Sequence, residues 1–173
     1  MAVIISESEM QFGKYEKEQV FQLEKCSQYT KTLMPNGIKS CEFILRRDHK
    51  LYFIEAKKSC PRQISAETPQ EKIRKYNEYI QDIVLKMRHS LALYANILLE
   101  RYTAEGVPEM LREKNMSYLE IRLVLVVKNA EKEWLVPFQD VFRKRLQDEL
   151  RIWKIPAFSI INEDTAREKH FII

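Results

Sequence analysis

Two β-rich segments, residues 41–47 (Cys-Glu-Phe-Ile-Leu-Arg-Arg) and 50–57 (Lys-Leu-Tyr-Phe-Ile-Glu-Ala-Lys), are separated only by Asp48 and His49. Strands this close cannot run parallel, because a parallel return needs a crossover of about a dozen residues or more. The spacing therefore predicts an antiparallel hairpin. The turn holds no glycine, so a longer loop is also compatible with it. In the two-residue form Arg47 opposes Lys50, and counting back along both strands sets Glu42 opposite Glu55.

The surrounding pattern predicts the rest of the fold. Val20, Leu23 and Ser27, with Phe21 alongside, give a buried arc that predicts a helix over 14–32, stopped by Pro35-Asn36-Gly37. Thr68-Pro69-Gln70-Glu71 reads as a helix start, with Thr68 as cap and Pro69 first in the helix. From there Ile73, Tyr76, Ile80, Val84, Met87, Leu91, Tyr94 and Leu98 recur at steps of three and four. That stripe predicts one long packed helix over 68–102. A short helix is expected over 107–114, a buried strand over 118–128, a helix from Pro137 to about Trp153 and a strand over 155–161. Strand, helix and strand in this order make a βαβ unit with parallel strands. The expectation is a single α/β domain over 1–173, with a mixed central sheet flanked by helices.

Composition narrows the function. The 173 residues carry only three glycines, which excludes a Gly-rich phosphate cradle. No Ser-His-Asp motif and no P-loop occurs. Cys26, Cys41 and Cys60 are odd in number and widely spaced, which fits reduced thiols in a cytoplasmic protein. With the histidines scattered, a zinc site is not expected. Ala2-Val3-Ile4-Ile5 is too short for a signal peptide, and no apolar run reaches membrane-spanning length. A net charge of +4 permits a polyanionic partner without requiring one.

The chemistry gathers at the hairpin. On a strand, Glu55 and Lys57 project to the same face. Opposed across the ribbon, Glu42 and Glu55 would have Cβ atoms about 4.5–5.5 Å apart. Two facing carboxylates repel unless a cation sits between them. A hard divalent ion such as Mg²⁺ or Mn²⁺ suits oxygen ligands, and Lys57 would lie beside it. Two acids, an ammonium and a metal are the parts phosphodiester hydrolysis requires.

An acid at the start of one strand followed by Glu55-Ala56-Lys57 at the end of the next resembles the PD-(D/E)XK, or restriction-endonuclease-like, nuclease superfamily. The resemblance covers roughly residues 14–128. It implies an αβββαβ core, Mg²⁺ or Mn²⁺ on Glu42 and Glu55, and Lys57 assisting the attacking water. Some members place a helical Glu at the metal, which makes Glu24 a candidate third ligand. The first site reads Cys41-Glu42 rather than Pro-Asp. No Gln-x-x-x-Tyr element follows the hairpin, and a third meander strand is not marked between Lys57 and Thr68. Composition alone yields roughly two (D/E)-x-K triplets. Two occur, and only Glu55-Ala56-Lys57 closes an apolar strand with a facing acid.

Arg46, Arg47, Lys58, Arg62, Lys72 and Lys75 cluster in sequence around the hairpin and are candidate contacts to a nucleic-acid backbone. The leading expectation is a metal-dependent nuclease acting on DNA or RNA. The alternatives are a non-catalytic nucleic-acid or protein-binding module on the same fold, and an unrelated α/β interaction protein. In either case helix 68–102 offers a surface for a second copy or another partner.

Overall fold

The hairpin forms with the short connection. β4 (Phe43–Arg47) and β5 (Lys50–Ser59) pair antiparallel, with Arg47 facing Lys50 and Phe43 facing Ile54. Asp48 absorbs the reversal at φ +50°, a conformation that Asp tolerates better than most residues. The structure, a computed structural model, describes residues 1–113 and 115–173.

β5 is the centre of a five-stranded mixed sheet ordered β3-β4-β5-β6-β7, where β3 is Val20–Phe21, β6 Glu120–Asn129 and β7 Phe158–Asn162. β5, β6 and β7 are mutually parallel, while β4 runs antiparallel to both β3 and β5. Both sheet faces are covered, which is why β5 and β6 read as nearly unbroken apolar runs. Leu51, Phe53, Leu123, Leu125 and Val127 join a core with α1 (Gln70–Leu98) and α2 (Lys132–Arg145). Ile54, Ala56, Val124 and Val126 join a second core on the opposite face. That face is covered by a separate two-stranded ribbon, β1 (Ala2–Glu7) and β2 (Met10–Glu16), and by the C-terminal segment.

The long helix is present as α1, and its stripe, with Tyr76, Ile80, Val84, Met87, Leu91 and Tyr94, is buried on the sheet. Its cap differs from expectation. Pro69 is the capping residue, and the Thr68 hydroxyl instead accepts from the Ser65 N–H at 2.8 Å. The βαβ unit is β6-α2-β7, with a short α3 (Gln147–Ile152) before β7. α2 begins at Lys132 and carries Pro137 inside it, because Leu135, Phe138 and Phe142 form one buried face. The helix from Pro137 to Trp153 is therefore two helices, broken at Leu146. A final short helix, α4, spans Glu163–Glu168.

The expected helix over 14–32 does not form. β2 runs to Glu16, β3 follows, and only short helical turns occupy Lys17–Gln19, Leu23–Lys25 and Tyr29–Leu33. The reason is the pairing of Val20 with Leu45 and of Phe21 with Ile44. That pairing sends the two side chains to opposite cores, whereas a helix would have placed both on one arc. The turns end at Gly37, whose φ of +77° suits a residue without Cβ. The helix expected over 107–114 reduces to one turn, Glu109–Leu111. Lys114 lies outside the described residues. Among the described residues no helix is long and apolar enough to cross a membrane.

Candidate metal centre

The approach to β4 is tied to α1 before the strand begins. The Lys39 N–H donates to His89 Nδ1 at 3.0 Å, and the Cys41 N–H donates to Ser90 Oγ at 2.8 Å. The next residue, Glu42, donates its N–H to the Ile54 carbonyl at 3.0 Å. Ile54 is already the partner of Phe43. Glu42 lies just before β4, and the regular ladder ends at the Phe43–Ile54 pair. Glu42 is therefore not set squarely opposite Glu55 as strict counting requires.

The two acids nevertheless meet a common cation. Lys86 Nζ, reaching down from α1, lies 2.8 Å from Glu55 Oε1 and 3.8 Å from Glu42 Oε1. Glu55 is fully buried, beside Leu125 on the neighbouring strand. Lys57 Nζ shares its Oε1 at 3.2 Å. Glu55 Oε2 is buried without a partner among the described residues.

Lys57 also reaches Asp82 Oδ2 at 3.1 Å, and Asp82 in turn binds Lys39. Charges therefore alternate along Lys39, Asp82, Lys57, Glu55 and Lys86, as buried ions must if desolvation is to be offset. The alternation then fails. Glu42, Glu24 and Glu7 follow one another, each presenting a carboxylate oxygen within 4.8 Å of the others. Lys25 meets this group only at its outer edge, 2.9 Å from Glu7.

The protonation states follow from that crowding. Burial, the charge of Glu55 and a hydrogen bond with Glu24 push the Glu42 carboxyl up to about 9. At neutral pH it keeps its proton and donates to Glu24. Burial also raises Glu55, against the opposing charges of Lys86 and Lys57. Burial works to lower Lys86, but Glu55 and Glu42 outweigh it and hold the amine firmly charged. Asp82, raised by burial but lowered more strongly by Lys39 and Lys57, stays ionised.

Comparison with protein-family models, with curated proteins and with solved structures found no match.

The converging donor set is three glutamates, Glu7, Glu24 and Glu42, with no histidine or cysteine, and Glu55 is joined to it through Lys86. Such hard oxygens suit Mg²⁺ or Mn²⁺ rather than zinc. Cys41, the nearest thiol in sequence, is fully buried and pushed up to about 12 by that burial, so it remains neutral. An orphaned buried oxygen on Glu55, and a proton held between Glu42 and Glu24, are both features that a divalent ion would resolve.

The structure thus gathers Glu24, Glu42, Glu55 and Lys57 at one end of the hairpin. Arg46 and Arg47 lie toward its other end. Arg46 binds the Met110 carbonyl, Glu113 and the Tyr118 hydroxyl. Arg47 binds the Lys169 and His170 carbonyls and packs over Tyr15 and Phe171. Lys58 pairs with Glu9 at 2.5 Å, and Arg62 lies over the Trp134 ring, 3.4 Å from its centroid. Lys72 and Lys75 are exposed on the first turns of α1, where Lys75 pairs with Glu71.

Sequence reasoning missed Glu7, Asp82 and Lys86. Asp82 and Lys86 did carry a signal, being four residues apart and interleaved with the buried Ile83, Val84 and Met87. A charged pair inside an apolar stripe has to meet charge across the interface. Glu7 had no such mark.

Proposed function

We propose that this chain is a metal-dependent phosphodiester hydrolase acting on nucleic acid, built on a restriction-endonuclease-like core of the PD-(D/E)XK kind. The observation that carries the reading is the meeting of Glu42, Glu55 and Lys57 on one side of the hairpin, with the carboxyl groups of Glu24 and Glu7 beside them. The five-stranded mixed sheet with α1 packed over the hairpin agrees with such a core.

Glu42, Glu55 and Glu24 would hold the ion, with Glu7 within reach of the same position. Bound there, Mg²⁺ or Mn²⁺ supplies positive charge to the phosphate undergoing attack. Lys57, with a side chain 26% exposed, is the one ammonium of the motif with access to solvent. Its Nζ donates to the attacking water or to a non-bridging phosphate oxygen, and Asp82 holds it in place. Buried Glu55 fixes the inner end of the site.

The test is cleavage of duplex DNA, single-stranded DNA and RNA with Mg²⁺ or Mn²⁺. Cleavage that disappears in Glu55→Gln and Lys57→Ala supports the reading. Absence of cleavage on every substrate with either metal sinks it. A second reading, a non-cutting nucleic-acid binder on the same fold, is favoured by the engagement of Lys57 with Asp82 and the full burial of Glu55. Salt-sensitive binding without turnover would select it.

A further inference from the structure

Lys86 belongs to no sequence motif, yet it is the cation closest to Glu55. It projects from a stretch of α1 whose neighbours Ile83, Val84, Met87 and Ser90 are buried. The acid one turn before it, Asp82, is already held by Lys39 and Lys57. The ion pairs it makes among the described residues are with Glu42 and Glu55, the acids of the candidate centre. Its placement is also lopsided. Lys86 and Lys57 both crowd Glu55 Oε1, while Oε2 is left with no partner among the described residues.

We propose that the Lys86 ammonium is the resident counter-ion of Glu55 in the metal-free protein, with Glu42 beside it, and that it competes with the divalent cation for these two carboxyl groups. The inference rests on the metal reading above and deepens it. An ammonium seated on the buried Glu55 carboxylate offsets its desolvation without a metal, so the metal-free site can fold and persist. A divalent ion arriving there meets a fixed positive charge a few ångströms away, which weakens its binding. The four-carbon stem lets Nζ withdraw without moving the helix. Lys86 is thus a positioning residue that sets the metal concentration at which the centre loads.

The experiment is Mn²⁺ binding to the full chain, followed by calorimetry and by the electron paramagnetic resonance signal of free Mn²⁺. Lys86→Gln is expected to bind Mn²⁺ about tenfold more tightly than wild type, whereas Lys86→Arg, which keeps the charge, stays close to wild type. Unchanged or weaker binding by Lys86→Gln overturns the competition. Should Lys86→Gln alone fail to fold, the comparison moves to a Glu55→Gln background, whose amide needs no ammonium. Adding Lys86→Met there must still tighten Mn²⁺ binding on Glu7, Glu24 and Glu42, and an unchanged affinity overturns the inference. If neither wild type nor any variant binds Mn²⁺, the metal reading itself falls and this inference falls with it.

Discussion

Lys86 and Glu55 are joined at 2.8 Å across the interface between α1 and the central strand, with the carboxylate fully buried. Removing Lys86 takes from the buried Glu55 the nearer of its two cations and leaves Lys57 alone beside it. Lys86→Met should therefore lower the unfolding free energy in metal-free buffer, by less than the roughly 3–5 kcal/mol that a wholly unpaired buried charge costs. Lys86→Met combined with Glu55→Gln should recover most of that loss, because neither charge is then left alone. Urea denaturation of the wild type, Lys86→Met and the double variant measures both. A double variant as unstable as the single one would show that the pair contributes through packing rather than charge.

Glu42 makes stability depend on pH in an unusual direction. Its carboxyl titrates near 4.5 when unfolded and is pushed up to about 9 in the folded chain. Below 4.5 both states hold the proton. Between 4.5 and 9 the folded state retains a proton that the unfolded state has lost, so stability falls as pH rises through that window. His89, held below 6.5 by burial, acts in the opposite sense at the acid end. Glu7, Glu24, Lys25, Tyr29, Cys41, Glu55 and Lys86 are titratable groups around Glu42. The clean comparison is therefore wild type against Glu42→Gln between pH 7 and 9. The wild-type melting temperature should drop across that range and that of Glu42→Gln should stay flat. Parallel curves would refute the assignment.

Asp82 holds the Lys57 ammonium at 3.1 Å, and on the proposed hydrolase reading it is a positioning residue. Asp82→Ala should free the Lys57 ammonium and lower the cleavage rate by about 100-fold, the cost of misplacing a reacting group by an ångström. Lys39, its other partner, should matter less. Single-turnover kinetics at saturating Mn²⁺ separates this effect from metal loss, and Asp82→Asn, which can still accept a hydrogen bond, should retain intermediate activity.

The basic residues divide by what already holds them. Arg46 and Arg47 are committed to their own chain, so Arg46→Ala should cost stability, about 1.5–3 kcal/mol for its charged hydrogen bonds. The salt dependence of nucleic-acid binding should not change. Lys72 and Lys75 are exposed on α1. Replacing both with Ala should reduce the slope of log affinity against log salt by about one unit for each phosphate no longer neutralised. Filter binding across a salt series reads this, and an altered slope in Arg46→Ala would reverse the division.

How far the sequence reaches depends on which interaction places each element. The β4–β5 hairpin, α1 and the βαβ unit were legible because each has its own periodicity and a local stop signal. The N-terminal ribbon was not. Its turn is Ser8-Glu9, with φ of 50° and 61°, a conformation normally advertised by Asn or Gly. The misread helix over 14–32 failed for a nonlocal reason, since Val20 and Phe21 are held by a strand more than twenty residues away. At the site, Glu55 and Lys57 could be placed by counting along one ribbon, whereas Glu42 falls just outside the counted register. The departure of Glu42 from the ladder, the insertion of Lys86 and the approach of Glu7 depend on contacts between distant segments, which no local spacing encodes.

Glu7 comes to the acid set from β1, whose apolar side chains belong to the core on one face of the sheet. Lys86 comes to it from α1, which belongs to the core on the other. The three carboxyl groups of Glu7, Glu24 and Glu42 therefore lie where the ribbon's layer and the helix's layer approach one another. With an ion seated there, ribbon and helix would open together. With the ion stripped by a chelator, the ribbon would be free to peel away first, and its amides would exchange with solvent ahead of the rest.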